Sequence, residues 1–232
     1  MLRQYGLIRQ VRGKADHAMT RVANRFSAIA DEDDFTSQLI GCLAAEFDGW
    51  SYKGIKWSTI PGRSEAGELG INVSARKLTS RGAHSEESWM GADIVLTTQI
   101  TIPGYKTIKS MLIQSKNLGE GERLRTSEWN RLLGQIDDMR GISDHSFVWL
   151  YSPEGVRSVR ASQLSHLETR RPDDLYTSHA ASLFADFIKS EEGDDHLTAT
   201  DRHSLEELRE RIRARKALLL SAQTGGSPWD LR

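Results

Sequence analysis

GADIVLTTQITIPGYKTIKSMLIQSK, residues 91–116, decides how this chain folds. Gly91-Ala92-Asp93-Ile94-Val95-Leu96 opens one strand, Ile102-Pro103-Gly104-Tyr105 makes a turn, and Met111-Leu112-Ile113-Gln114-Ser115-Lys116 closes a second strand. Successive side chains of a strand point to opposite faces, so Gln114 and Lys116 share one face and Ile113 and Ser115 share the other. Asp93 begins the paired strand. The stretch therefore reads as a β-hairpin that brings an acid, an amide carbonyl and an amine together.

Upstream, Leu2, Tyr5, Ile8, Val11, Ala15, Met19, Val22, Phe26 and Ile29 recur at spacings of three and four, the pattern of an amphipathic helix. Gly6 and Gly13 weaken it and allow two shorter helices. Its other face carries Arg3, Arg9, Arg12, Lys14, Arg21 and Arg25. That face suits either contact with nucleic-acid phosphate or the solvated side of a packing or oligomer-forming helix. Asp31-Glu32-Asp33-Asp34 then precedes an apolar run through Leu39, Ile40, Leu43, Ala44 and Phe47. Acids in a first turn complement the helix dipole, and they also set a carboxylate at the end of a helix beside the sheet. Trp50 to Trp57 and Ile71 to Leu78 read as strands, Pro61 to Gly70 as a loop, and Thr79 to Glu87 as a polar loop leading into the hairpin.

Downstream, Thr126 or Ser127 can cap a helix through Trp129, Leu132, Leu133, Ile136 and Met139. His145 to Tyr151 is a continuous apolar run, the pattern of a strand buried on both faces. Ser152-Pro153-Glu154-Gly155 turns the chain, and Val156 to Ala161 returns as a strand. The remainder reads as helical, with helices over Tyr176–Lys189 and Ser204–Ala222 joined by an acidic connection. A mobile tail is expected from Thr224-Gly225-Gly226-Ser227-Pro228. The element order predicts an α/β fold, a mixed sheet flanked by helices.

Composition narrows the function classes. The chain has 232 residues, 38% of them hydrophobic, enough for one well-packed domain with extensions. Lys plus Arg is 31 and Asp plus Glu 32, so the net charge of −1 supplies no overall field for nucleic acid. Any nucleic-acid surface has to be a local patch. The single cysteine, Cys42, lies in an apolar run and has no intramolecular disulfide partner. No apolar stretch reaches the ~20 residues of a membrane span, and the N-terminus lacks a signal-peptide core. A soluble, cytoplasmic protein with no membrane partner is the expectation.

Metal-dependent phosphodiester hydrolysis needs oxygen ligands for a divalent ion, a group that orients the attacking water, and positive charge near the phosphorane. Asp93 supplies a carboxylate, Gln114 an amide carbonyl and Lys116 the charge. A glutamine is a neutral and weaker ligand than an acid, so such a site would hold its ion loosely without substrate.

Gly91-Ala92-Asp93, a hairpin and then Ile113-Gln114-Ser115-Lys116 resemble the PD-(D/E)xK nuclease superfamily. Most closely they resemble its Mrr-type restriction endonucleases, in which Gln replaces the last acid. The element order, a helix bearing an acid, then strands, Asp, Gln-x-Lys, helix and strand, is similar too, although Gly-Ala stands before Asp93 where Pro is common. The resemblance implies a restriction-endonuclease-like core over residues 31–161, an N-terminal helical extension over 1–30 and a helical C-terminal region over 162–232. It implies hydrolysis of DNA in restriction or anti-phage defence, with Mg²⁺ or Mn²⁺ held by Asp93, Gln114 and an acid of the first helix. Glu32 is the matching position by order, with Asp33, Asp34 and Glu46 as competitors. Two cuts in duplex DNA call for two sites, and hence for a homodimer or larger assembly.

A nuclease-fold subunit that binds DNA or assembles without cutting is the alternative, and RNA is a further possible substrate. Glu86 and Glu87 could approach the ion from their loop or stay solvated. Gln135 could lie near the site or be an ordinary polar helix position. The 7 histidines show no metal-ligand spacing, and Gly67-Glu68-Leu69-Gly70 is too short to cradle a phosphate.

Overall fold

The computed structural model describes residues 5–29, 31–56, 68–79 and 91–224. In chain order the elements are α1 (Tyr5–Ala23), α2 (Glu32–Phe47), β1 (Ser51–Lys56), β2 (Glu68–Thr79), β3 (Ile94–Ile102), β4 (Tyr105–Asn117), α3 (Thr126–Ile142), β5 (Ser146–Ser152), β6 (Gly155–Arg160), α4 (Ala161–Leu164), β7 (Ser178–His179), α5 (Ala180–Ile188), α6 (Arg202–Ile212) and β8 (Lys216–Thr224). The fold is α/β, with an open mixed sheet of eight strands among the described residues, in the order β1-β2-β8-β3-β4-β5-β6-β7. β3 runs parallel to β8 and β4 parallel to β5, while the other neighbours are antiparallel.

The sheet separates two apolar cores, and strand alternation sends neighbouring residues to opposite ones. Ile94, Ile113, Trp149, Leu218 and Leu220 join residues of α1, α2 and α5. Val95, Leu112, Leu150, Ala217 and Leu219 join residues of α3, α4 and α6 on the other face. Burial at ~25 cal/mol per Å² of apolar surface makes these two layers the main source of stability. No described helix is long and apolar enough to cross a membrane.

The hairpin forms from β3 and β4, paired from Ile94↔Ile113 to Ile102↔Tyr105. Its turn follows from Pro103-Gly104: proline presets φ for the first turn position, and Gly104 at φ +75° takes the left-handed second position. In α2, Asp31 caps the first turn by accepting from Asp34 N at 2.8 Å.

Several expectations are corrected. The helix expected over Ser204–Ala222 stops at Ile212, where Arg213 at φ 57° takes the left-handed end position. Lys216–Thr224 is instead a central strand, antiparallel to β2 and parallel to β3. Ala217-Leu218-Leu219-Leu220 consists of good helix formers, but with partner strands on both sides and apolar cores on both faces the tertiary pairing outweighs that weak preference. The C-terminal part is therefore not wholly helical. Glu68–Gly70, expected in a loop, belong to β2, while residues 61–67 lie outside the described ones. α1 runs unbroken through Gly6 and Gly13 and ends at Ala23; it buries Leu7, Val11, Ala15, Ala18, Met19 and Val22, and leaves Tyr5 exposed. Trp57, Glu86, Glu87 and the expected tail from Gly225 also lie outside the described residues.

Candidate active site

One end of the sheet collects the chemistry-bearing side chains, because the strand register brings three strand ends to the same place. Ile94 pairs with Ile113 of β4 and with Lys216 of β8. Asp93, one residue earlier, therefore lies between Gln114 and Arg215. The ladder continues past the strand ends: Asp93 N donates to Ile113 O at 2.9 Å, and Lys216 N donates to Asp93 O at 2.9 Å. Gly91 at φ +124° turns the chain into this strand, in a backbone conformation that side chains other than glycine rarely adopt. The N-terminal turn of α2 points at the same end.

Asp93 is buried, and both hydrogen bonds to its carboxylate fall on Oδ2. Ser115 N donates to it at 2.9 Å, and Gln114 Nε2 donates to it as well. Lys116 Nζ meets Glu32 Oε1 at 3.1 Å, and Asn117 N donates to Glu32 Oε2 at 3.1 Å. The structure thus brings Glu32, Asp93, Gln114 and Lys116 to one cluster. Of the competing acids, Asp33 also reaches it, through Lys216 and Arg215. Asp34 is exposed in the first turn of α2, and Glu46 lies at the far end of that helix against Lys14 and His17. Gln135 lies in α3 between buried Leu132 and Ile136, and its Oε1 is buried without a hydrogen-bond partner among the described residues.

Burial dominates the electrostatics. It lifts the Asp93 carboxyl above its usual range, against the Ser115 N–H and the nearby Lys116, Arg215 and Lys216 charges. Glu32 is lifted mainly by burial and further by the charge of Asp93, with Lys116 pulling the other way. Asp33 behaves differently. Burial opposes its charge, but the hydrogen bond and charge of Lys216, with Arg215 beside it, hold its carboxyl below the usual range.

Behind the cluster lies a buried trio of hydroxyls. Ser115 Oγ is 2.9 Å from the Tyr151 hydroxyl, and Thr36 Oγ1 is 3.2 Å from each of them. Thr36 also donates to Glu32 O at 2.7 Å. This trio fixes the first turn of α2 against β4 and β5, which sets where Glu32 points. Burial pushes the Tyr151 hydroxyl far above its ordinary range, so it stays protonated.

The donor set fits a hard divalent ion in one respect and is thin in another. Gln114 is buried, and its Oε1 has no hydrogen-bond partner among the described residues. Turning the amide over would aim that oxygen at the carboxylate of Asp93, an arrangement that repels unless a cation lies between them. Two carboxyls raised by burial gain by the same cation. Yet no group of three or more His, Cys, Asp or Glu side chains gathers with metal-holding geometry among the described residues. The third oxygen would have to be the amide of Gln114.

Arg215, Lys216, Thr36, Ser115 and Tyr151 were missed as site residues by sequence reasoning. Arg215 and Lys216 directly precede the apolar run Ala217–Leu220, so a strand reading of that run would have set them at a strand start, where Asp93 also is. The hydroxyl trio has no local signal, because its members are brought together only by packing. Comparison with protein-family models, with curated proteins and with solved structures returns no match.

Proposed function

We propose that this protein is a divalent-metal-dependent endonuclease that hydrolyses DNA phosphodiester bonds on a restriction-endonuclease-like core. The observation that carries the reading is the meeting of Asp93, Gln114, Lys116 and Glu32 at one sheet end, from three separate elements. The resemblance of Asp93 and Gln114-x-Lys116 to Mrr-type enzymes supports DNA as the substrate and restriction or anti-phage defence as the setting. Asp93, Gln114 and Glu32 are the residues that would hold Mg²⁺ or Mn²⁺. When bound, such an ion polarises the phosphoryl group and lowers the pKa of the attacking water.

The protein's own groups do the rest. Ser115 N–H locks one carboxylate oxygen of Asp93; among the described residues the other has no close hydrogen bond. Glu32 holds the Lys116 ammonium at the mouth of the cluster, with 12% of its side chain exposed. There it can offset charge building on a pentacovalent phosphorus and hold a water by one of its remaining N–H groups. Thr36, Ser115 and Tyr151 close the inner side and keep the first turn of α2 in register.

The test is conversion of supercoiled plasmid to nicked and linear forms, with Mg²⁺, with Mn²⁺ and with EDTA, beside a single-stranded RNA of matched length. Metal-dependent cutting of the plasmid alone supports the reading. Cutting of RNA alone reassigns the substrate, and no cutting of either overturns the enzyme assignment. A second reading has a specific observation in its favour: each acid of the cluster already faces a cation of the same chain. On that reading the cluster is a structural ion network in a DNA-binding or assembly subunit, and DNA affinity is indifferent to metal and to Asp93→Ala.

A further inference from the structure

Among the described residues, three carboxyls and three cations meet at this sheet end: Glu32, Asp33 and Asp93 with Lys116, Arg215 and Lys216. The cations are not held alike. Lys216 is nearly enclosed, its side chain 4% exposed, and it closely pairs with Asp33. Lys116 is 12% exposed and 3.1 Å from Glu32. Arg215 is the outlier: 29% of its side chain is exposed, and its two ion pairs among the described residues are long, 3.5 Å to Asp33 Oδ1 and 3.7 Å to Asp93 Oδ1. Ion-pair strength falls with distance and with exposure. Arg215 is therefore the cation that leaves most readily.

Its position gives that mobility a consequence. Ser115 N holds Asp93 Oδ2 and Arg215 faces Oδ1, so an ion held between Asp93 and the turned amide of Gln114 competes with Arg215 for the charge of the same carboxylate. Among the described residues the cluster holds three charges of each sign, so an added divalent ion shifts it toward positive charge, and the displaced guanidinium stands beside it. A guanidinium is the side chain best shaped to take two phosphate oxygens at once.

We infer that Arg215 is a DNA-phosphate-binding residue held in reserve on Asp93 and Asp33, which yields Asp93 to the metal and turns to the phosphate backbone. The inference rests on the metal-dependent nuclease reading, and it makes metal entry and phosphate capture one coupled event. It also gives opposite signs to two affinities. Removing the guanidinium removes a competitor for Asp93, so the DNA-free protein binds metal more tightly. The same change removes a phosphate contact, so DNA binds more weakly.

The experiment measures Mn²⁺ affinity of the DNA-free protein by electron paramagnetic resonance, and affinity for a short duplex in Ca²⁺ by fluorescence anisotropy. Wild type, Arg215→Gln, Arg215→Lys and Asp93→Asn are compared. Arg215→Gln is expected to bind Mn²⁺ several-fold more tightly and duplex roughly tenfold more weakly, with Arg215→Lys between it and wild type in both. If Asp93→Asn loses Mn²⁺ binding while Arg215→Gln leaves both affinities unchanged or weakens both, the inference falls and the metal site stands. If wild type does not bind Mn²⁺, or Asp93→Asn binds it as wild type does, the metal site falls and takes the inference with it.

Discussion

The β3–β4 hairpin and strand β8 lie side by side in the sheet and feed the same cluster, yet they differ in what holds them in place. The hairpin is local: a Pro-Gly turn and alternating strands bring Asp93 opposite Gln114 with only nearby chain between them. β8 is non-local. It enters between β2 and β3 from the far end of the chain and places Arg215 and Lys216 against acids of α2 and β3. Asp93, Gln114 and Lys116 are brought together locally, whereas Glu32 and the two cations, Lys216 of β8 and Arg215 just before it, arrive by tertiary packing.

The most severe way to break the contrast is through the core of β8. Leu218 and Leu219 are adjacent and face opposite cores, so Leu218→Ala and Leu219→Ala are each expected to cost about 2–5 kcal/mol in urea unfolding. A surface helix would bury only one of two neighbours, and a near-zero cost at either position would contradict the central strand.

The charge pair at the head of β8 offers a sharper, signed comparison. Asp33→Ala leaves the enclosed Lys216 ammonium without its carboxylate and is expected to cost about 3 kcal/mol, whereas Lys216→Met leaves only a half-exposed acid with Arg215 still beside it and should stay within about 1.5 kcal/mol. Equal costs would mean that Lys216 is solvated rather than enclosed.

A smaller effect is expected where the hairpin meets α2. Tyr151→Phe deletes one hydroxyl of the buried trio and should cost about 1 kcal/mol, with a larger proportional loss in metal affinity than in stability, because the trio positions Glu32. The smallest effect, and the most telling in sign, is at Asp93. Its carboxylate is raised by burial, so Asp93→Asn is expected to leave the melting temperature of the metal-free protein unchanged or slightly higher, while removing activity. A clear fall in melting temperature would make Asp93 a structural residue.

What the sequence made legible follows the same division. The hairpin, α2 with its acidic first turn, α3 and the central strand β5 carry their signals in adjacent residues, as turn chemistry, capping acids or an apolar run. Order named Glu32 and left Asp33, Asp34 and Glu46 open; Glu32 and Asp33 both reach the cluster, while Glu46 sits at the opposite end of the same helix. β8 was illegible because an all-apolar run after a charged helix looks alike as a helix end or a buried strand, and only its partners distinguish them. Arg215, Lys216 and the Thr36–Ser115–Tyr151 trio were hidden with it, for nothing in the local chain records which strand ends will meet.

The most direct test of the account is the initial rate of supercoiled DNA nicking in Mn²⁺ by wild type, Asp93→Ala and Lys116→Ala, each shown to melt cooperatively. Loss of one transition-state-stabilising group is typically worth about 10²–10³ in rate. Metal-dependent nicking by wild type and a fall of at least that size in both variants are expected. Nicking by both variants at the wild-type rate would contradict the proposed active site.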